Sequence, residues 1–215
     1  GSYVQNAKAA LAAELNLPPG YSVTWAGQYE YMERAKAKLT SVVPLTLAII
    51  VILLYLNFRA FSEVMMIILS LPMAMIGGLW LLYLQGFNLS VAVGVGFIAL
   101  AGVAVEIGVI MLVYLNQSYE EMLQTCKEKG ATPRRETLRH AVLHGAGLRV
   151  RPIMMTAAAI IGGLVPIMVS TGTGSEVMGR IAAPMVGGMI SAVILALLVI
   201  PVGYYLWKCR SISEG

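Results

Sequence analysis

The stretch Val91–Leu115, VAVGVGFIALAGVAVEIGVIMLVYL, contains a single charged side chain, Glu106. An apolar run of about 20 residues is long enough to cross a bilayer as a helix. Glu106 lies close to its middle, where a charged carboxylate is costly and usually marks a path for protons or ions. We therefore expect Glu106 to gain and lose a proton inside the membrane. Small residues on the same stretch predict that neighbouring helices approach closely. They are Gly94, Gly96, Gly102 and Gly108.

The composition extends this expectation to the whole chain. Of 215 residues, 58% are hydrophobic and only 12% are charged, which excludes a disordered chain and an ordinary soluble domain. We predict a mainly α fold, a polytopic membrane helix bundle occupying residues 39–210. Its five transmembrane helices are expected at about 39–58, 64–84, 90–116, 152–172 and 179–207.

Residues 1–38 are more polar and have a different pattern. A helix is predicted over Val4–Leu15, a strand over Tyr21–Trp25, and a charged helix from Gln28 into the first span. So few elements do not bury a core alone. We expect them to be a small α/β piece of an extracytoplasmic domain, and the chain to be a fragment of a longer protein.

The distribution of Lys and Arg predicts the orientation. These residues cluster in the loops after the first and third helices and in the C-terminal tail, whereas loops 85–89 and 173–178 carry none. The positive-inside rule then places the N-terminus outside and the tail, residues 211–215, in the cytoplasm. Basic residues that flank helices do not favour nucleic-acid binding. Cys126 and Cys209 fall on the reducing side, where neither a disulfide nor a metal site is expected.

The long loop 117–150 contains a predicted amphipathic helix at about 133–148. Thr132 and Pro133 suit its first positions, and its basic and apolar faces favour a helix lying on the membrane surface. His140 and His144 have the spacing of a metal-binding pair. No third ligand is evident, so packing at the interface is the preferred interpretation.

The last predicted helix carries a methionine stripe. Met178, Met185 and Met189 fall within roughly 40° of one another around a helix. Thioether sulfur is a good ligand for soft monovalent ions such as Cu(I) and Ag(I). The alternative, that methionine fills irregular apolar gaps, is also open.

Four motifs together resemble a known family. They are Gly96–Glu106, Leu148–Pro152 followed by Met155-Thr156, Gly172–Met178, and Ile181–Pro184. In combination they are similar to the heavy-metal efflux branch of the resistance–nodulation–division transporters. The copper and silver pumps of the Cus/Sil type are the most similar, and Czc-type zinc, cobalt and cadmium pumps come next.

This resemblance implies the C-terminal fragment of a proton-driven antiporter, a secondary transporter and not an enzyme. Residues 1–38 would be the last piece of a periplasmic porter domain. The pump would be a homotrimer in the lipid of the inner membrane of a Gram-negative bacterium. It would join a periplasmic adaptor and an outer-membrane channel, use protons as the coupling ion and need no cofactor.

The resemblance also assigns roles to individual residues. Glu106 matches an acid of the proton relay, and Met178 matches a methionine in the path of Cu(I) or Ag(I). Met185 and Met189 rest on the stripe alone.

One position departs from the pattern of the copper and silver pumps. These carry a relay lysine directly after the Arg-Pro pair, where this chain has Ile153. Arg151 lies roughly 200° away around the helix and does not simply replace it. We therefore expect the partner of Glu106 in a part of the pump outside this chain.

Other functions remain open. They include an exporter of divalent zinc, cobalt or cadmium, an exporter of organic or lipid substrates, and an inactive truncated remnant. A membrane enzyme is not favoured, because the spans contain no facing Ser–His or paired-Asp arrangement.

Overall fold

The computed structural model describes residues 2–14, 18, 23, 27–130 and 134–213, and every regular element within these ranges is helical. The helices are α1 (Ser2–Glu14), α2 (Gln28–Phe58), α3 (Phe61–Leu84), α4 (Val91–Glu128), α5 (Arg135–Val169), α6 (Ser175–Ile194) and α7 (Ile200–Ser213), with a π-helical turn at Leu195–Val199 between the last two. Five helical segments are long and apolar enough to cross a membrane. The predicted mainly α membrane bundle is confirmed.

The chain divides into two compact units, residues 1–53 and 54–215. In the first unit, the Lys8 ammonium donates a hydrogen bond to the Tyr29 hydroxyl at 3.3 Å, and that hydroxyl donates to Glu33 at 2.7 Å. These contacts tie α1 to the first turns of α2. The predicted strand Tyr21–Trp25 lies outside the described residues, apart from Val23.

The second unit is built around α6, which packs against α3, α4 and α5. Its contact with α3 is closest where Gly77 faces Gly187: a Cβ on either glycine would collide with the other's carbonyl oxygen. Small residues allow this approach, which supplies van der Waals contact where lipid leaves little hydrophobic driving force.

The glycines of α4 divide into two kinds. Gly96 abuts the carbonyl of Ile181 and the ring of Pro184, and Gly108 lies at ordinary van der Waals distance from side chains of α3 and α7. A Cβ added to Gly94 or Gly102 would meet no atom of this unit within 4 Å. The packing role predicted for these glycines therefore holds for two of the four within this unit.

The predicted surface helix at 133–148 and the predicted span at 152–172 form one continuous helix, α5. The sequence predicted two separate helices because Arg149, Arg151 and Pro152 interrupt the apolar pattern between them. Proline removes one backbone hydrogen bond. A membrane-embedded helix tolerates this loss where neighbouring groups donate a hydrogen bond to the carbonyl that has lost its partner. Likewise α4 continues past residue 116 to Glu128.

The last span is interrupted by the π-helical turn Leu195–Val199. Pro201 lies two residues after this turn, and a proline ring collides with the carbonyl four residues earlier, here that of Leu197. A widened turn relieves that collision while the helix continues.

Candidate functional site

Glu106 lies on α4 with its side chain exposed, although the next two residues, Ile107 and Gly108, are buried. The carboxylate therefore lies at the edge of the bundle core. It borders a groove between α4 and α5.

This groove has a volume of about 110 Å³, enough for more than one water molecule. Two charged residues line it, Glu106 from α4 and Arg149 from α5, and no direct ion pair joins them. The residues that line it are Val103, Glu106, Ile107, Ile110, Arg149, Pro152, Ile153, Thr156 and Ile160.

Arg149 is held in the groove by its neighbours. Its guanidinium carbon lies 3.8 Å from the centre of the Tyr114 ring, a stacked cation–π contact. Its Nε is buried and has no hydrogen-bond partner among the described residues. A buried donor without a partner is costly, so this atom is suited to a water or a carboxylate in the groove.

Arg149 is a candidate partner for Glu106 within this chain, which the sequence pattern did not single out. The expectation that the partner lies in another part of the pump stays a prediction. Arg149 lies four residues before Ile153, about 40° away around the helix, and so shares its face. The structure brings this arginine to the same groove as Glu106.

Two other groups complete the groove. Ile153 is buried, so the position where a lysine was expected offers an apolar surface. The Thr156 hydroxyl donates to the Pro152 carbonyl at 3.0 Å. This bond uses the proton of the hydroxyl and leaves the Thr156 oxygen able to accept a hydrogen bond.

The three methionines of the stripe lie on α6 but in different environments. Met178 is 57% exposed in the first turn, Met185 is half-buried, and Met189 is fully enclosed in the core. Met178 is accessible to an ion, whereas the environment of Met189 is that of a side chain filling an apolar gap.

His140 and His144 line a second groove between α4 and α5, of about 300 Å³, together with Cys126. Both imidazoles are exposed, and no group of three or more His, Cys, Asp or Glu side chains is placed to hold a metal within the described ranges. Cys126 and Cys209 are free thiols.

A buried polar cluster was not predicted from the sequence. Glu63, in the first turn of α3, is only 4% exposed and accepts a hydrogen bond from the Asn116 amide of α4 at 2.8 Å. The Asn116 carbonyl oxygen accepts from the Tyr204 hydroxyl of α7 at 2.6 Å. The available signal was Asn116 itself, an amide that follows directly on the long apolar run of α4.

Five helices long and apolar enough to cross a membrane, with an acidic and a basic residue lining one groove between two of them, define a multi-pass membrane protein. Residues 1–208 match the AcrB/AcrD/AcrF family, and the chain belongs to that family.

Individual relatives sharpen the comparison. The chain is 53% identical over 210 residues to the putative cation efflux system protein SilA of Salmonella typhimurium and to the cation efflux system protein CusA of Escherichia coli K12. It is 37% identical over 206 residues to the cobalt-zinc-cadmium resistance protein CzcA of Cupriavidus metallidurans. The predicted resemblance to heavy-metal efflux transporters is confirmed.

A crystal structure of a heavy metal efflux pump superposes with a TM-score of 0.75 at 36% identity over 97% of this chain. The match with SilA and CusA also covers 97% of this chain. In each case the chain spans 20% of the longer protein.

Proposed function

We propose that this chain is the membrane-embedded C-terminal part of a proton-driven heavy-metal efflux pump whose cargo is Cu(I) or Ag(I). The groove between α4 and α5 carries the proposal, because Glu106, at mid-span, and the basic residue Arg149 both line it. The names of the relatives, cation efflux proteins, support the cargo class.

In the proposed cycle, Glu106 is the proton carrier. Ionised, its carboxylate is attracted to the positive charge of Arg149 on the same groove, and this attraction offsets part of the cost of a charge at membrane depth. When a proton from the outer side binds the carboxylate, that attraction ends and α4 and α5 are free to shift relative to each other. Release of the same proton to the inner side restores the pair and completes the cycle.

The charge pattern and the names of the relatives support the rest of the proposal. Residues 1–38 are the last piece of a periplasmic porter domain, residues 39–210 belong to the transmembrane domain, and residues 211–215 form a cytoplasmic tail. The N-terminus is periplasmic and the C-terminus cytoplasmic, as the positive-inside rule requires. We propose a homotrimer in the inner membrane of a Gram-negative bacterium, joined to a periplasmic adaptor and an outer-membrane channel.

The first test concerns Arg149. In the full-length pump, Arg149→Met keeps the apolar stem and removes the charge. We expect proton-driven metal export to fall by roughly tenfold or more, since a charge pair in a low-dielectric site contributes at least about 1.4 kcal/mol. Arg149→Lys should retain a substantial part of the rate. Export is measured as Ag(I) flux in everted membrane vesicles.

Arg151→Met is the matched control for this test, because it removes an exposed positive charge two residues along α5 that does not line the groove, and its export should equal the wild-type rate. Export in Arg149→Met that equals the wild-type rate would remove Arg149 from the mechanism.

The second test concerns the cargo. Met178→Ile removes an exposed thioether, and we expect Ag(I) tolerance of cells with the full-length pump to fall by roughly tenfold, the effect of about 1.4 kcal/mol of binding free energy. Zinc does not depend on thioether ligands, so Zn(II) tolerance should stay as it was. Val177→Ile, at the exposed neighbouring position, is the control. Equal loss for both ions would exclude a thioether path at Met178.

A further inference from the structure

The cluster of Glu63, Asn116 and Tyr204 has a feature that ordinary helix packing does not need. Glu63 lies in the first turn of α3, where a carboxylate usually accepts hydrogen bonds from the free backbone amides of that turn. Here the carboxylate instead accepts from the Asn116 side chain of another helix at 2.8 Å. Glu63 thus connects two helices.

Asn116 uses both ends of its amide. It donates to the Glu63 carboxylate and accepts from the Tyr204 hydroxyl, which is fully buried. An ionised carboxylate only accepts and this phenol donates, so the residue between them must do both. An amide side chain has that pair of functions in a fixed geometry.

The surroundings hold the cluster in place. The Lys208 ammonium, one turn beyond Tyr204, lies 4.5 Å from the centre of the Tyr119 ring and 4.4 Å from that of Trp207. The charged groups that act on the cluster are Glu63 from α3, Glu120 from α4 and Lys208 from α7.

Asn116 and Glu106 are on the same helix, ten residues or about 15 Å apart. Between them, Ile107, Met111, Leu112 and Leu115 are all buried. Gly108 lies within van der Waals distance of Ile67 from α3 and Ile200 from α7. Because packed side chains enclose this segment, it moves as one rigid element. A rotation of α4 at Asn116 therefore also rotates Glu106.

We propose that Asn116 is a positioning residue for the proton carrier: by bridging Glu63 and Tyr204, it sets the rotation and height of α4 so that Glu106 borders the groove that Arg149 also lines. The inference rests on the function proposed above. Breaking the bridge lets α4 turn and weakens proton coupling, although Asn116 lies about two and a half to three helical turns from Glu106.

The test exchanges the two partners in the full-length pump. Asn116→Asp alone sets two carboxylates against each other, and we expect Ag(I) export in everted vesicles to fall by about tenfold. Adding Glu63→Gln restores one amide and one carboxylate: the new amide donates to the new carboxylate, which still accepts from Tyr204. We expect this double variant to recover at least about half of the wild-type rate.

A second variant and a control separate positioning from folding. Tyr204→Phe removes one hydroxyl and keeps the ring; we expect a folded pump whose export falls by about threefold and whose pH of half-maximal export changes measurably. Gln117→Leu changes the neighbouring exposed amide, which bonds only to Glu121 of its own helix, and should match the wild type in both rate and pH profile.

The result that overturns the proposal is a double variant that exports no faster than Asn116→Asp, or a Tyr204→Phe pump with wild-type rate and pH profile. Glu106→Gln is run alongside as a reference. If Glu106→Gln itself exports normally, the proposed function fails. If it is inactive while Asn116→Asp is normal, only the positioning role fails.

Discussion

Glu106→Gln in the full-length pump is expected to lower the Ag(I) tolerance of cells to that of cells without the pump. Glutamine has nearly the shape of glutamate and keeps the capacity for hydrogen bonding in the groove that Arg149 and Thr156 also line. It does not exchange a proton in the physiological range, so it removes the proposed coupling and leaves the packing intact. The measurement is growth across an Ag(I) series, with the amount of pump in the membrane determined by immunoblot.

Two further variants are compared with Glu106→Gln, one that keeps the carboxylate and one that removes a different carboxylate. Glu106→Asp keeps a carboxylate on a shorter stem and should retain part of the tolerance. Glu176→Gln neutralises an exposed carboxylate in the first turn of α6, outside the groove, and tests whether any loss of negative charge has the same effect. Full tolerance in Glu106→Gln would show that the groove carboxylate is not part of proton coupling.

Gly96→Ala is expected to destabilise the full-length pump by about 3 kcal/mol, the upper end of the usual cost of overpacking. The new methyl group would collide with the Ile181 carbonyl oxygen and the Pro184 ring of α6. Backbone atoms of a packed helix do not move aside as the end of a flexible side chain does. The shift is measured as the thermal melting midpoint of the purified pump in detergent.

Gly94→Ala, two residues away on the same helix, is the matched control. Nothing in this unit lies within 4 Å of its new methyl group, and alanine is the better helix former, so the melting midpoint should stay the same or rise. Equal melting midpoints for the two variants would mean that α4 and α6 are not in the close contact described here.

The five spans and the position of Glu106 within one of them were predictable because both are local features of the chain. A long apolar run and a single acid within it are visible without any knowledge of neighbours. The position of Arg149 at the groove was not predictable in the same way. The sequence pattern suggested that residues 149–152 end a loop, whereas they lie within the continuous helix α5. Because the helix is continuous, Arg149 and Ile153 share one face.

Packing between distant segments explains the remaining differences. Met178, Met185 and Met189 do lie along one helix, but the packing of α6 against α3, α4 and α5 encloses Met189 and leaves Met178 exposed. Glu63 and Asn116 are 53 residues apart, and nothing in the local sequence pairs them. Such contacts depend on the relative rotation of helices, which periodicity alone does not determine.

Measuring proton flux in proteoliposomes tests directly whether Glu106 carries the proton that is exchanged for metal. The full-length pump is reconstituted with a pH-sensitive dye inside, and an Ag(I) gradient is imposed across the membrane. The wild-type pump should move protons against the direction of Ag(I) flow, and Glu106→Gln should move none above the level of protein-free liposomes. Silver-driven proton flux in Glu106→Gln equal to that of the wild type would contradict the account.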